Sequence, residues 1–206
     1  MIDIESLDIM KKSGCVSILV GIESGSELIL KDMKKKNDLN KILQLFEHCS
    51  KIRLFIEGAF LTGTENETEE TLYETRKYMK QLNKYYIKIS PLTHLTMFYI
   101  LPTPGTELYQ QALKRGFIED ESTYVVETIP TFRQRRLQPA MNLTKIPTDK
   151  WISLVEDINR EMETDNTGVF RRFRYHTVRL VRSERPFLMI FTKLKSLLKM
   201  LKNERL

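Results

Sequence analysis

The stretch Gly21-Ile22-Glu23-Ser24-Gly25-Ser26 combines residue types that could bind a ligand. It ends the apolar segment 16–22, which predicts a strand buried on both faces, as in a parallel sheet covered by helices. In such sheets, ligands bind just beyond the carboxyl ends of the strands. Glycines let a ligand approach the backbone, and the Glu23 carboxylate can accept hydrogen bonds from two ribose hydroxyls. A tight turn with Glu23 in solvent is the alternative, and chemistry alone favours it.

Two other groups of residues resemble functional sites but have simpler explanations. The acidic segment 65–70 follows Thr64, which could form a capping box with Glu67, and lysines gather near the end of the same predicted helix. Carboxylates at a helix start complement its dipole, which explains them better than a metal site does. Cys15 and Cys49 lie far apart in sequence, so we expect them to pack as small apolar side chains.

Composition predicts a globular protein with an unevenly charged chain. Of the 206 residues, 41% are hydrophobic, enough for a sizeable core. The net charge is +6, but the segment 170–206 holds eleven Lys or Arg and two Glu, so the preceding residues sum to −3. This argues against a nucleic-acid-binding core. No apolar run reaches the ~20 residues of a membrane span, no signal peptide is evident, and a reducing cytoplasm fits best.

Hydrophobic periodicity predicts alternating helices and strands. We expect helices at 4–12, 39–49, 64–84, 107–115 and 149–162, and strands at 16–22, 54–61, 85–90 and 95–101. The second strand should be interrupted at Glu57-Gly58, with Glu57 either at an edge or bulge or inside a cavity. The segment 116–147 reads as a long connection. Alternation of this kind predicts an α/β fold with a parallel sheet or barrel, whose functional edge lies where Glu23, Gly63 and Thr103 end their strands.

The basic tail forms a separate question. Apolar residues recur at helical spacing over 187–201, and lysines occupy much of the opposite side. Such a helix could lie on an anionic membrane surface, or it could dock on its own protein or on a partner.

Several segments carry a family resemblance. The stretch 21–26 resembles the fourth-strand segment of radical S-adenosylmethionine enzymes, most closely the branch often fused to a cobalamin-binding domain. Residues 60–63 with Glu67-Thr68 are similar to the family's G-x-P-G-E-T motif, although Glu65 and Asn66 replace its Pro-Gly. Residues 102–109 are similar to its P-x-P-G-T-x-L-Y loop, and 142–144 with the helix around Trp151 resemble the extension after the barrel.

This resemblance implies an architecture and a site. The fold would be the C-terminal half, about strands 4–6, of a partial (β/α)6 TIM-like barrel at 1–118. A connection and helical extension would follow at 119–165, then a basic amphipathic tail at 166–206. It also implies contacts to S-adenosylmethionine, with no catalytic acid, base or nucleophile and no metal ligand. The implied cofactor-binding residues are Glu23, Ser24, Gly25, Ser26, Gly63, Thr103, Pro104 and Gly105.

The family's cluster motif is missing from the chain. Enzymes of the family bind a [4Fe–4S] cluster through C-x-x-x-C-x-x-C, whereas this sequence has two cysteines. We therefore expect a fragment that needs a separate or missing N-terminal half to bind the cluster and an unknown small-molecule substrate. The intact enzyme would cleave S-adenosylmethionine reductively, and some relatives would also use cobalamin. The alternative is an inactive remnant that binds a partner or a membrane through its basic helix.

Overall fold

A computed structural model describes residues 3–89, 95–129 and 139–166. Its elements follow in the order α1 (Ile4–Lys12), β1 (Ser17–Glu23), α2 (Glu27–Asp32), α3 (Leu39–Ile52), β2 (Phe55–Thr62), α4 (Glu69–Ile89), β3 (Leu95–Tyr99), α5 (Glu107–Lys114), α6 (Glu121–Thr123), a π-helical turn (Tyr124–Thr128) and α7 (Thr148–Asn166). The alternation of helices and strands is that of an α/β fold, as predicted. The segment 167–206, which contains the basic helix, lies outside the described residues.

The three strands form one parallel sheet in the order β1-β2-β3. Leu19 lies beside Glu57 in the register, and Leu61 lies beside Phe98. The pairing of β1 with β2 shifts between Gly21 and Glu23, so β1 changes course where it reaches the predicted site.

Helices cover one face of this sheet. Alternate strand residues such as Ile56 and Phe60 are fully buried, and they share a core with residues of four helices, represented by Leu7, Phe46, Met79 and Trp151. The opposite face holds residues that are half-buried or exposed, including Leu19, which is 70% exposed. Burial on one face corrects the prediction that β1 is covered on both faces.

The helix boundaries follow from local chemistry. Asp3 caps α1 by accepting from the Ser6 N–H at 2.7 Å, and Asp38 caps α3 by accepting from two backbone N–H groups. Thr106 caps α5 by accepting from the Tyr109 N–H at 3.2 Å. Within the described helices, none is long and apolar enough to cross a membrane.

Two sequence predictions about these elements were wrong. Residues 85–89 extend α4 instead of forming a strand, because Tyr85 packs on the core one turn after Leu82. Strand β2 is uninterrupted, and Glu57 lies on its open face, where it accepts from the Ser17 hydroxyl at 3.2 Å. Glu57 is therefore at neither an edge nor a bulge, because β2 is the central strand and its register is regular there.

The Thr64–Glu67 capping box is also absent. Helix α4 begins later, at Glu69, and its first turn is closed by Thr68 and Thr71, each of which accepts the other's backbone N–H. The Glu67 side chain turns back toward the end of β2 instead.

Candidate functional site

Glu23 ends β1 in a backbone conformation that is unusual for a non-glycine residue, with φ of 71°. Its carboxylate folds back over the strand, so that a Cβ at Gly21 would lie 3.0 Å from Glu23 Oε1. Lys35 Nζ donates to the same oxygen at 3.0 Å. The Asn37 amide donates to the carbonyls of Gly21 and Ile22 at 3.2 and 3.1 Å. Glu23 is thus held as an ion-paired acceptor rather than left in solvent.

The serines and the glycine that follow Glu23 attach the turn to α4. The Thr75 hydroxyl donates to the Thr71 carbonyl at 3.0 Å, so its one proton is used there. It therefore accepts from the Ser24 hydroxyl at 3.0 Å and from the Gly25 N–H at 3.2 Å. The Ser24 oxygen in turn accepts from the Ser26 N–H at 3.1 Å. Ser24 and Ser26 are both 1% exposed.

Gly25 is required here by close packing. A Cβ at this position would lie 2.6 Å from Tyr78 Cβ and 2.8 Å from Thr75 Cα, both well inside ordinary contact. The absence of a side chain lets the turn lie directly on α4. Gly25 thus makes a helix contact, and its predicted role in cofactor binding stays a prediction.

The loop after β2 is built around a buried carboxylate. Glu67 is 1% exposed, and its Oε2 accepts from the Thr62 hydroxyl at 2.5 Å and from the Gly63 N–H at 2.7 Å. Gly63 has φ of 121°, a conformation that glycine adopts without strain. Trp151 of α7 donates its indole N–H to Thr62 Oγ1 at 2.9 Å. This hydrogen bond joins the loop to a helix 89 residues later in the sequence.

Burial raises the pKa of Glu67 to about 7, although the hydrogen bonds from Thr62 and Gly63 act in the opposite direction. A carboxylate in a low-dielectric interior is costly, and two donors offset only part of that cost. This carboxyl group therefore changes protonation near neutral pH.

The predicted residues 103–105 form an exposed turn between β3 and α5. The Thr103 carbonyl accepts from the Thr106 hydroxyl at 2.7 Å and from its N–H at 3.1 Å. Gly105, with φ of 87°, is the position that allows the chain to reverse. Thr103, Pro104 and Gly105 are all exposed.

A cleft of about 610 Å³ opens at the carboxyl edge of the sheet. It is lined by the end of α2, the loop after β2, the residues after β3 and the first turns of α5. Leu61, Ile100 and Leu108 give it apolar walls, and ion pairs Lys34–Glu107 and Glu65–Arg115 lie at or next to it. The Thr64 hydroxyl lies in its lining, buried and without a hydrogen-bond partner in the described structure.

The predicted residues do not line this cleft. None of the eight is in its lining, but the ion-pair partner of Glu23, Lys35, lines it, and so do Thr64, next to Gly63, and Thr106, next to Gly105. Sequence reasoning missed Lys35, Asn37, Thr75 and the Thr62–Glu67–Trp151 network. Glu67 carried a signal as the acidic residue of the G-x-P-G-E-T-like motif, and Thr62 and Trp151 lie in segments that carry the family resemblance.

The residues present do not fit an iron–sulfur cluster. Three thiolates are needed, whereas the sequence has two cysteines and Cys49 is fully buried, with burial raising the pKa of its thiol to about 11. Within the described residues, no group of three or more His, Cys, Asp or Glu side chains could hold a metal ion. The edge can supply an apolar surface, a carboxylate acceptor and a buried hydroxyl, which suit a small molecule with an apolar ring and hydroxyl groups.

Comparison with known proteins finds a family match for the segment that contains β1 and β2. The family model of the Radical SAM superfamily matches residues 1–79. Cytidylyl-2-hydroxyethylphosphonate methyltransferase of Streptomyces wedmorensis is 26% identical over 125 residues, 59% of this chain. Bacteriochlorophyllide d C-8(2)-methyltransferase of Chlorobaculum tepidum is 30% identical over 111 residues, 53% of the chain. The anaerobic magnesium-protoporphyrin IX monomethyl ester cyclase of Cereibacter sphaeroides is 28% identical over 122 residues, 59% of the chain.

These matches cover small parts of the relatives. The aligned regions span 22%, 23% and 19% of the methyltransferases and the cyclase, in the order given. The likeness is therefore confined to less than a quarter of each of those proteins.

Proposed function

We propose that this chain, which belongs to the radical SAM superfamily, supplies part of a binding site for S-adenosylmethionine at the carboxyl edge of its sheet. The observation that carries the proposal is a single cleft lined by Lys35, the ion-pair partner of Glu23, by Thr64 of the loop after β2, and by the start of α5. In this proposal the sheet is half of a (β/α)6 barrel, and its open face would line the barrel interior.

Each part of the edge matches a part of the ligand. The Glu23 carboxylate, kept in place by Lys35, would accept from the ribose hydroxyls. Leu61 and Ile100 would contact the adenine ring, and the Thr64 hydroxyl would gain the hydrogen-bond partner that it lacks in the described structure. The Gly63 backbone would lie close to the ligand. Its N–H would not bind the ligand, because it already donates to Glu67.

The cluster must come from elsewhere, because this chain lacks the ligands for it. A [4Fe–4S] cluster supplies the electron that cleaves S-adenosylmethionine in the family, and no step of that chemistry is assigned to residues of this chain. We propose that a cysteine-rich segment, either on a separate polypeptide or in a missing N-terminal half, completes the site and that the whole enzyme acts on a small molecule. Methyl transfer is the reaction class favoured by the names of two relatives, and cobalamin dependence stays a prediction from the resemblance.

Binding of S-adenosylmethionine to the full chain tests the proposed site. Equilibrium dialysis with labelled ligand should show binding, and Glu23→Gln should weaken it by roughly tenfold or more, since hydrogen bonds to a charged group contribute ~1.5–3 kcal/mol. Glu47→Gln is the matched control, because Glu47 is also ion-paired to a lysine, at 2.9 Å, but lies on α3 away from the cleft. Equal affinities of the two variants, or no binding by the wild-type chain, would contradict the proposal.

A second experiment separates binding from cleavage. After reconstitution with iron and sulfide under reducing, anaerobic conditions, the full chain should form no 5′-deoxyadenosine from S-adenosylmethionine. Formation of that product by the purified chain would show that it carries a working cluster and would refute the need for a cysteine-rich companion.

A further inference from the structure

The two outer edges of the sheet differ in how their backbone groups are satisfied. In a parallel strand, the N–H and C=O of one residue point to the same side, and successive residues alternate. Ile100 donates its N–H to the Thr62 carbonyl of β2 at 2.8 Å, so Met97, three residues earlier, directs both of its backbone groups away from the sheet. Such outward groups are a template on which another strand can pair.

Asn159 of α7 satisfies both outward groups of Met97. The Met97 N–H donates to Asn159 Oδ1 at 2.8 Å, and Asn159 Nδ2 donates to the Met97 carbonyl at 3.0 Å. One acceptor and one donor in this arrangement reproduce what a neighbouring strand would offer. Asparagine is suited to the position, because an aspartate would lack the donor and a leucine would lack both groups.

The helix that carries Asn159 is fixed in place by its own core residues. Val155, Ile158 and Met162 are 1%, 3% and 1% exposed, so α7 is anchored on both sides of the amide. The amide is therefore held against β3 by packing, and an incoming strand could pair with Met97 only by displacing it.

At the outer edge of β1, the outward backbone groups are only partly hydrogen-bonded. Asn37 donates to the Gly21 and Ile22 carbonyls but accepts from neither N–H. For Leu19, which is 70% exposed, no side chain within the described structure bonds the backbone N–H or carbonyl. The middle of β1 thus keeps the open template that β3 lacks.

We infer that Asn159 is an edge cap that prevents a strand from adding to β3. This inference does not depend on the proposed binding of S-adenosylmethionine.

Hydrogen exchange at two protein concentrations tests the cap. In the full-length wild-type chain, the Met97 amide should be protected at both concentrations. In Asn159→Ala it should exchange at least about tenfold faster at low concentration, because its acceptor is gone. At high concentration it should be protected again, because strands from other copies pair there, and sedimentation velocity should show more association than for the wild type.

The matched control is Asp157→Ala, which makes a similar truncation on the exposed side of the same helix, where Asp157 pairs with Arg160 at 3.1 Å. It should behave like the wild type in both measurements. Asn159→Leu serves where the alanine variant fails to fold, since it keeps a side chain of similar size and loses both the acceptor and the donor. A Met97 amide that stays protected at low concentration in the variants, or that stays exposed at high concentration without extra association, would overturn the inference.

Discussion

The turn after β1 and the loop after β2 are neighbours at the same edge of the sheet, yet they are stabilised in opposite ways. The first has a partly exposed ion pair between Glu23 and Lys35, above serines that are hydrogen-bonded to Thr75 of α4. The second has the buried Glu67 carboxylate at its centre and is joined to α7 by the buried indole of Trp151. Because of this difference, the proposed ligand would meet a partly exposed ion pair at the first turn and a buried hydrogen-bond network behind the second loop.

Removing the indole of Trp151 should produce the largest effect. The side chain is fully buried, its ring meets that of Tyr99 edge-on at 4.9 Å, and its N–H binds Thr62. Trp151→Ala should lower the free energy of unfolding by about 3–5 kcal/mol, measured by urea unfolding followed by circular dichroism. Tyr73→Ala removes an aromatic ring that is 65% exposed and should change it by only about 0.5 kcal/mol. Equal losses would show that α7 does not anchor the loop.

Replacing Glu67 by glutamine should change the pH dependence of stability. The pKa of this acid is raised from 4.5 to about 7 in the folded chain, so the folded state binds more protons than the unfolded state between those values. Its contribution to stability is therefore highest at low pH and falls, by up to about 1.4 kcal/mol per pH unit, as pH rises through this window. Glu67→Gln should lack that decline.

The measurement for Glu67 is the unfolding midpoint in urea from pH 5 to 8, for which the wild type and Glu67→Gln should diverge up to about pH 7 and then run parallel. Glu65→Gln alters an exposed carboxylate two residues away and should follow the wild-type curve. Parallel curves for the wild type and Glu67→Gln over this whole pH range would mean that the carboxyl group titrates alike in the folded and unfolded chain.

The smallest effect is expected at the first turn. The Lys35 side chain is 47% exposed, so Lys35→Met should lower the free energy of unfolding by less than about 1 kcal/mol, and added salt should reduce the difference. Lys51→Met, which breaks the comparable surface pair with Glu47, provides the control. Thermal unfolding at low and high salt measures both. If Lys35→Met lowered the free energy of unfolding as much as Trp151→Ala, the turn after β1 and the loop after β2 would not differ in how they are stabilised.

The sequence predicted the helices and strands better than it predicted the tertiary contacts between them. The periodicity of α1 and α3 and the strands β1 and β2 are evident in the chain because their apolar residues face one core, and that of α5 is evident because its apolar residues face a second, smaller cluster. The strand predicted at 85–90 was wrong because β-prone tyrosine and isoleucine occupy positions that continue α4. Local propensity is a weak signal beside the packing of a long helix.

For the candidate site, the sequence predicted which residues lie at strand ends but not which side chains they contact. The positions of Glu23 and Gly63 at strand ends follow from the α/β alternation. The use of Ser24 and Gly25 against α4 could not be predicted, because it depends on Thr75, some fifty residues away. The same holds for Trp151, whose partner Thr62 is 89 residues earlier. Pairings at this separation are set by tertiary packing alone.

That separation also orders events during synthesis. β1 and β2 leave the ribosome long before Trp151 does, and domains begin to fold as their N-terminal parts emerge. Thr62 and Glu67 can meet early, but the indole that completes their network arrives only with α7. The wall of the cleft is therefore finished last, so a chain interrupted before residue 151 would carry the strand ends of the site without the clamp that gives the loop after β2 its final shape.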